Sequence, residues 1–149
     1  MNRSILLVTL LATSTIASAT SWYQIAETPG SAPGQKYTIE VDIDSINVGP
    51  YDKTKPDDGL FIAGLARYLT DGKETTRLAS AVDVEECQTR NEGAIKTEWP
   101  DGKTSIDKWQ KQGERAIDRR AKFLCDFVNG TVGNIIKSKP KKEPKKIWM

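Results

Sequence analysis

The sequence predicts an α+β domain in which an antiparallel sheet of about five to six strands is covered on one face by one C-terminal helix. Three observations predict this fold. Apolar residues first alternate with polar residues, as they do in half-buried strands. Near residue 114 the spacing changes to that of an amphipathic helix. One of the two cysteines, Cys125, lies in that helix, and a bond to Cys87 would tether the helix to the sheet.

The strand pattern is clearest between Tyr37 and Asp44, where apolar residues at odd positions alternate with polar residues at even positions. The even face, including Asp42 and Asp44, is therefore expected to be solvated. Further strands are predicted at 22–26, 60–69, 74–86, 93–99 and 103–109. Turn residues separate them, with an exposed loop at 47–59, a hairpin at Asp71-Gly72 and a second at Pro100-Asp101-Gly102.

Residues 114–129 carry the helical pattern. The residues that recur at helical spacing are Ala116, Ile117, Ala121, Leu124, Cys125 and Val128. Charged residues lie between them, and Asn129-Gly130 is typical of the residues that end a helix. We therefore expect an amphipathic helix whose Cys125 faces the sheet.

Residues 1–19 have the pattern of a cleavable export signal. Arg3 precedes an apolar run from Ile5 to Ile16, and Ala17-Ser18-Ala19 supplies the small residues of a cleavage site. The apolar run is too short to span a bilayer, which takes about 20 residues. We therefore expect a domain at 20–136 and a tail at 137–149. Because the residue directly after Ala19 is Thr20 and not cysteine, we expect a protein of the periplasm, cell surface or medium without a lipid anchor.

The two cysteines favour an intramolecular disulfide between Cys87 and Cys125, because an even count in an exported chain is typical of one. The bond would close a loop of 38 residues. The entropy of closing a loop of that length corresponds to about 4 kcal/mol of stability. Two free thiols, or pairing between chains, are the alternatives. No Cys-x-x-Cys pair or zinc-ligand set is present.

Charge divides the chain into two unlike parts. Residues 20–136 contain 15 basic and 19 acidic groups, whereas residues 137–149 contain six Lys and one Glu. The Lys- and Pro-rich tail is predicted to be extended and disordered. Since the domain itself is mildly acidic, the overall pI of 8.5 does not indicate binding to nucleic acid.

The sequence lacks most of the residues and motifs that are typical of catalytic sites. The chain has no histidine, no phosphate-binding glycine loop and no Gly-x-Ser-x-Gly elbow. Carboxylates cluster at Asp42 and Asp44, at Asp57 and Asp58, and at Asp83, Glu85 and Glu86. We interpret these clusters as solvated strand faces or loop tips, the alternatives being an acid/base pair or a calcium site. No enzymatic activity, cofactor or metal is therefore expected.

Three tryptophans fall in predicted strands: Trp22, Trp99 and Trp109. Packing in the core or at its rim is the favoured interpretation. A platform for carbohydrate or peptide is the alternative.

Two basic features are candidates for binding. The first is on the predicted helix and comprises Arg115, Arg119 and Arg120, with Lys122 beside them. A solvated face partly neutralised by Asp118 is the alternative. The second is the tail, with Lys141, Lys142, Lys145 and Lys146. One interpretation of the tail is contact with an anionic envelope surface such as lipopolysaccharide. The alternative is a disordered end that only makes the chain more soluble.

The mature domain resembles the surface-adhesin protein E family of small exported proteins from Gram-negative bacteria. The resemblance covers roughly residues 22–127. It rests on Trp22, on Val41 to Ile46 in the place of a Y-x-D-x-x-S-I strand, on Arg67, on Val84-Glu85-Glu86-Cys87, and on a C-terminal helix with Cys125. It implies an antiparallel sheet with one disulfide-tethered helix, and adhesion to host extracellular-matrix proteins.

The leading hypothesis is therefore an exported, non-enzymatic binding protein that adheres to host matrix proteins. The alternative is a soluble periplasmic envelope protein that binds a bacterial partner or an anionic envelope component. A second copy of the chain is a further candidate partner. An enzyme that uses only carboxylates and lysines is the least favoured hypothesis, because the usual base near pH 7 is missing.

Overall fold

The computed structural model describes residues 21–130, and the predicted export signal and Lys-rich tail lie outside them. It confirms the α+β fold: a seven-stranded antiparallel sheet with one long C-terminal helix. The strands are β1 (Trp22–Pro29), β2 (Lys36–Asp42), β3 (Asn47–Gly49), β4 (Phe61–Thr70), β5 (Lys73–Asp83), β6 (Glu92–Glu98) and β7 (Thr104–Gln110). The helices are α1 (Val84–Thr89) and α2 (Ala116–Val128).

The strands are ordered β1-β2-β4-β5-β6-β7, and the short β3 also pairs with β4. Strands β1 and β7 are therefore the two edges of the sheet. Pairs of consecutive strands form hairpins, which local turn signals specify well. In the turn between β4 and β5, Asp71 and Gly72 have φ angles of 50° and 78°. Two positive φ angles match the tight turn that the Asp-Gly dipeptide predicted.

Strands β2 and β3 lie on the same side of β4 and are separated by a 3-10 turn at Ile43–Ser45. The alternation predicted that Asp42 is solvated, and this prediction is wrong. Asp42 is only 6% exposed. Its Oδ1 accepts the Asp44 N–H at 3.0 Å, while Ser45 Oγ accepts the Leu65 N–H at 2.8 Å. The turn breaks the alternation because these side chains replace ladder hydrogen bonds. Burial is the main cause that raises the pKa of Asp42.

Helix α1 replaces the end of the strand that was predicted to run to Glu86. Asp83 caps this helix, because its Oδ1 accepts the N–H groups of Glu85 at 2.7 Å and Glu86 at 3.2 Å. The acidic cluster at 83–86 therefore has a structural role at its first residue. Cys87 lies in α1, so the disulfide joins one helix to the other instead of a strand end to a helix.

The hydrophobic core lies between the sheet and α2. The fully or largely buried residues that meet there include Val41, Ile62, Leu78, Val82, Ile95, Trp109, Ala121 and Leu124. Trp109 is 1% exposed, which confirms the core interpretation for this tryptophan. Within residues 21–130, no helix has the length and apolar character needed to cross a bilayer.

Candidate functional site

Helix α2 covers one face of the sheet. The other face, which we call the open face, carries no helix from residues 21–130. On β5, Ser80 faces α2, because its hydroxyl accepts a hydrogen bond from Arg120. Side chains alternate along a strand. Arg77, Ala79 and Ala81 therefore point to the open face. Their cross-strand partners on β4 do the same, notably Arg67 opposite Arg77.

A cluster of charged and aromatic side chains occupies the open face near β1, and we call it the Trp22 cluster. The guanidinium carbons of Arg67 and Arg77 lie 4.3 Å and 5.1 Å from the centre of the Trp22 ring. Arg67 Nη2 lies 2.6 Å from Glu40 Oε2, and Arg77 donates two hydrogen bonds to Glu74 at 2.9 Å and 2.8 Å. Arg77 is the main cause that lowers the pKa of Glu74.

The Trp22 cluster is balanced in charge, since two arginines meet two glutamates. Like charges directly opposite in a sheet repel, and the glutamates with the Trp22 ring offset that repulsion between Arg67 and Arg77. The result is a fixed polar and aromatic surface. Of these residues, the sequence analysis had noticed only Trp22, as a strand tryptophan and through the resemblance, and Arg67, through the resemblance alone.

Next to this cluster is a shallow cleft of about 330 Å³, which we call the Trp99 cleft. Its lining includes Leu65, Arg77, Ala79, Glu98, Trp99 and Pro100. Trp99 as a residue is 39% exposed. Its backbone is fixed, because the Trp99 N–H donates to the Lys103 carbonyl at 2.8 Å in the turn after β6. The sequence predicted Trp99 in a strand, but the residue lies in the hairpin turn that follows β6.

The Trp99 cleft combines an aromatic wall and an apolar floor with one basic and one acidic side chain. Ala79 is small, so the floor is open to a ligand side chain. Aromatic residues on a rigid turn give a large contact area at little cost in side-chain entropy. Arg77 and Glu98 can hydrogen-bond to polar groups on either side of an inserted apolar group. These properties suit the binding of a peptide segment.

The far end of the open face is covered by the loop between β3 and β4. Tyr51 of this loop packs its ring on Lys96, whose Nζ lies 3.6 Å from the ring centre, and on Phe61, with ring centres 5.6 Å apart. Ala63 and Ala81 beneath are almost fully buried. The accessible part of the open face is therefore the part that holds the Trp22 cluster and the Trp99 cleft.

The three arginines predicted on the helix are in different environments. Arg115 is exposed, but its guanidinium donates to Asp118 and to the Lys108 carbonyl. Arg119 is exposed on the surface of α2. Arg120 is a correction: it is only 3% exposed and lies on the side of α2 that faces the sheet. The tail lysines lie outside the described residues.

Asp118 anchors the start of α2 to the end of β7. Its carboxylate accepts the Gln110 N–H at 2.8 Å, the Arg115 N–H at 3.1 Å and two bonds from the Arg115 guanidinium. Hydrogen bonding from Arg115 is the main cause that lowers the pKa of this carboxyl. A buried carboxylate with four donors is a structural anchor and not a general base, which would need a raised pKa.

Replacing Asp118 by asparagine should lower the free energy of unfolding by about 2 kcal/mol at pH 7. Because the folded-state pKa is lowered, the carboxylate stabilises the protein above the unfolded-state pKa of about 4. That stability is lost as the pH falls through the folded-state pKa. Urea unfolding at pH 7 and pH 3 should therefore show a smaller acid loss for Asp118→Asn than for the wild type.

Asp101→Asn is the matched control, because Asp101 forms an exposed pair with Lys103 at 3.2 Å. Such pairs contribute about 0–1 kcal/mol. An equal acid loss in Asp118→Asn and the wild type would contradict the anchoring role of Asp118.

The described residues contain no group of three or more cysteine, aspartate or glutamate side chains able to hold a metal ion. Cys87 and Cys125 are joined in the disulfide that the sequence predicted, with Cα atoms 4.9 Å apart. Comparison with known proteins matches the chain to no family model, no curated protein and no solved structure.

Proposed function

We propose that the chain is an exported, non-enzymatic binding protein that engages a protein partner through the open face of its sheet. The Trp99 cleft carries the proposal. It presents an exposed aromatic ring beside an apolar floor, with Arg77 and Glu98 at its margin. Tryptophan and arginine are the residue types enriched where binding energy concentrates in protein interfaces.

Export is supported by the signal pattern at 1–19 and by the Cys87–Cys125 disulfide, since such bonds persist in oxidising compartments. The resemblance to the surface-adhesin protein E family extends the proposal to adhesion. In that form, the partner is a host extracellular-matrix protein.

Solid-phase binding of the purified chain to immobilised collagen, laminin and fibronectin tests this proposal. Trp99→Ala should weaken binding about tenfold or more, because truncating an aromatic anchor typically costs over 1 kcal/mol. Tyr37→Ala is the matched control: Tyr37 is also 39% exposed but lies on a strand well away from the cleft. It should bind like the wild type. No binding above that of the disulfide-reduced chain, or equal binding by Trp99→Ala, would count against the proposal.

Adhesion also requires that the domain be accessible on intact cells. Protease added to intact cells should therefore degrade the protein, while a periplasmic marker survives. Protection of the protein would instead favour the alternative, a periplasmic envelope protein with a bacterial partner.

A further inference from the structure

Strand β7 is an edge of the sheet, and part of its backbone has no partner. In an antiparallel strand, the N–H and C=O of one residue point to one side and those of the next residue to the other. The Lys108 carbonyl accepts from Arg115 at 2.8 Å, and the Gln110 N–H donates to Asp118 at 2.8 Å. The even-numbered residues of β7 therefore point their backbone groups away from β6.

The side chains of Arg115 and Asp118 thus cover the edge at its C-terminal end, as an added strand would. Within the described part of the chain, nothing equivalent covers the edge at Thr104 and Ile106. Among residues 21–130, the structure places no partner on the N–H or the C=O of Ile106, a residue that is 71% exposed.

The opposite edge, β1, is protected in a different way. Its register with β2 shifts between Gln24 and Ala26, and it ends at Pro29. Bulges and proline are devices that prevent an edge strand from pairing with another chain. Thr104–Lys108 of β7 has neither, so its outward backbone groups are available to a further strand, except for the Lys108 carbonyl that accepts from Arg115.

We propose that Thr104–Lys108 accepts an extended segment of a partner protein as an added antiparallel strand, with an apolar residue opposite Ile106 and an acidic residue opposite Lys108. The unpaired backbone groups select an extended chain, since each needs a hydrogen-bond partner at strand spacing. Ile106 and Lys108 project from the same face, so they read alternate residues of the segment. The covered end at Arg115 limits the pairing to about five residues.

A second copy of β7 fits this edge less well than an acidic segment. Antiparallel self-pairing centred on Ile106 sets Thr104 of one copy opposite Lys108 of the other. It then brings Lys103 of one copy beside Arg115 of the other. Centring the pair on Asp107 places two carboxylates opposite each other. Like charges in these positions oppose association, whereas an acidic residue opposite Lys108 favours it.

The test uses the purified chain with its disulfide intact, labelled with ¹⁵N, and two synthetic peptides titrated to millimolar concentration. The first is acetyl-Glu-Lys-Val-Thr-Thr-amide, which places Glu opposite Lys108, Lys opposite Asp107 and Val opposite Ile106 in the antiparallel register. The second has Glu and Lys exchanged and is otherwise identical. The amide signals of Ile106 and Lys108 should shift and saturate with the first peptide, and the second should bind at least about fivefold more weakly.

Two variants complete the test. Ile106→Pro removes the outward N–H while leaving the β6 ladder intact, and should weaken binding about tenfold or more. Lys108→Glu changes an exposed side chain only. It gives each peptide one attractive and one repulsive charge pair, at 107 and 108, so the preference between the two peptides should disappear. Absence of shifts at 104–108, equal affinities of the wild type for the two peptides, or a preference that persists in Lys108→Glu overturns the proposal. Signals of Ile106 that shift on dilution without peptide overturn it in favour of self-pairing. Because the edge is separate from the Trp99 cleft, failure here leaves the proposed function standing.

Discussion

Removing the Cys87–Cys125 disulfide should lower the free energy of unfolding by about 4 kcal/mol, the value expected for closing a loop of 38 residues in the unfolded chain. Both cysteines are buried, and they join α1 to α2 beside the core. Small domains have a total stability of about 5–15 kcal/mol. Urea unfolding of the Cys87→Ala/Cys125→Ala double variant should therefore show a much lower midpoint than the oxidised wild type.

The reduced wild-type chain provides the matched comparison, because it lacks the bond but keeps both sulfurs. It should unfold close to the double variant, and dithiothreitol should have no effect on the variant itself. A loss below about 1 kcal/mol would show that the bond hardly restricts the unfolded chain. It would also weaken the argument from the disulfide to an oxidising compartment, because the fold would then scarcely depend on the bond.

The parts of the fold that could be predicted are those that local sequence specifies. The alternation after Tyr37 gave the position of β2, and Asp71-Gly72 gave the turn between β4 and β5. The helical spacing predicted 114–129, and the helix spans Ala116–Val128. Each signal lies within a few residues of the structure that it specifies, so a single sequence is sufficient.

Two of the errors lie where side chains bond to the backbone. Asp42 and Asp83 each end a strand by accepting N–H groups of the next turn. From the sequence, Asp42 fitted a solvated strand face and Asp83 an acidic cluster. The Asp-x-x-Glu spacing from Asp83 to Glu86 is a helix-start signal that could have indicated α1.

The open face could not be predicted because it depends on strand register. Arg67 and Arg77 are ten residues apart in sequence and directly opposite each other in the sheet. The position of Trp22 over both requires that β1 lie beside β2 and that β2 lie beside β4. The Trp99 cleft likewise joins β4, β5 and the turn after β6. Among the interpretations of the sequence, only the alternative in which Trp99 forms part of a platform for carbohydrate or peptide pointed to this cleft.

Arg120 is an error that the sequence could have prevented. It lies three residues after Ile117 and four before Leu124, which places it on the apolar face of the helix. In the structure its Nη1 donates to Ser80 Oγ and, at 3.3 Å, to Thr97 Oγ1, while its Nε has no partner. Burial is the main cause that lowers the pKa of this guanidinium. No carboxylate among residues 21–130 forms an ion pair with it.

Replacing Arg120 by alanine should lower the free energy of unfolding by about 2–4 kcal/mol, because it leaves a cavity and two buried hydroxyls without their donor. Arg120→Met should behave differently. Methionine fills much of the same volume, and burying it carries none of the desolvation cost of a charge held by two hydroxyls. The two hydroxyls lose their donor in this variant as well, but no carboxylate among residues 21–130 is left unpaired, and relief of the cost of burying the charge offsets the lost hydrogen bonds. Urea unfolding should therefore place Arg120→Met within about 1 kcal/mol of the wild type, or above it.

The two variants together separate volume from hydrogen bonding. If Arg120→Met were as unstable as Arg120→Ala, the bonds to Ser80 and Thr97 would be what holds α2 on the sheet, and the charge would be integral to the fold. If Arg120→Met is stable, the charge contributes nothing to folding. Arg120 would then be a residue whose burial near Tyr68, with ring centre 6.0 Å from the guanidinium carbon, needs a reason other than stability.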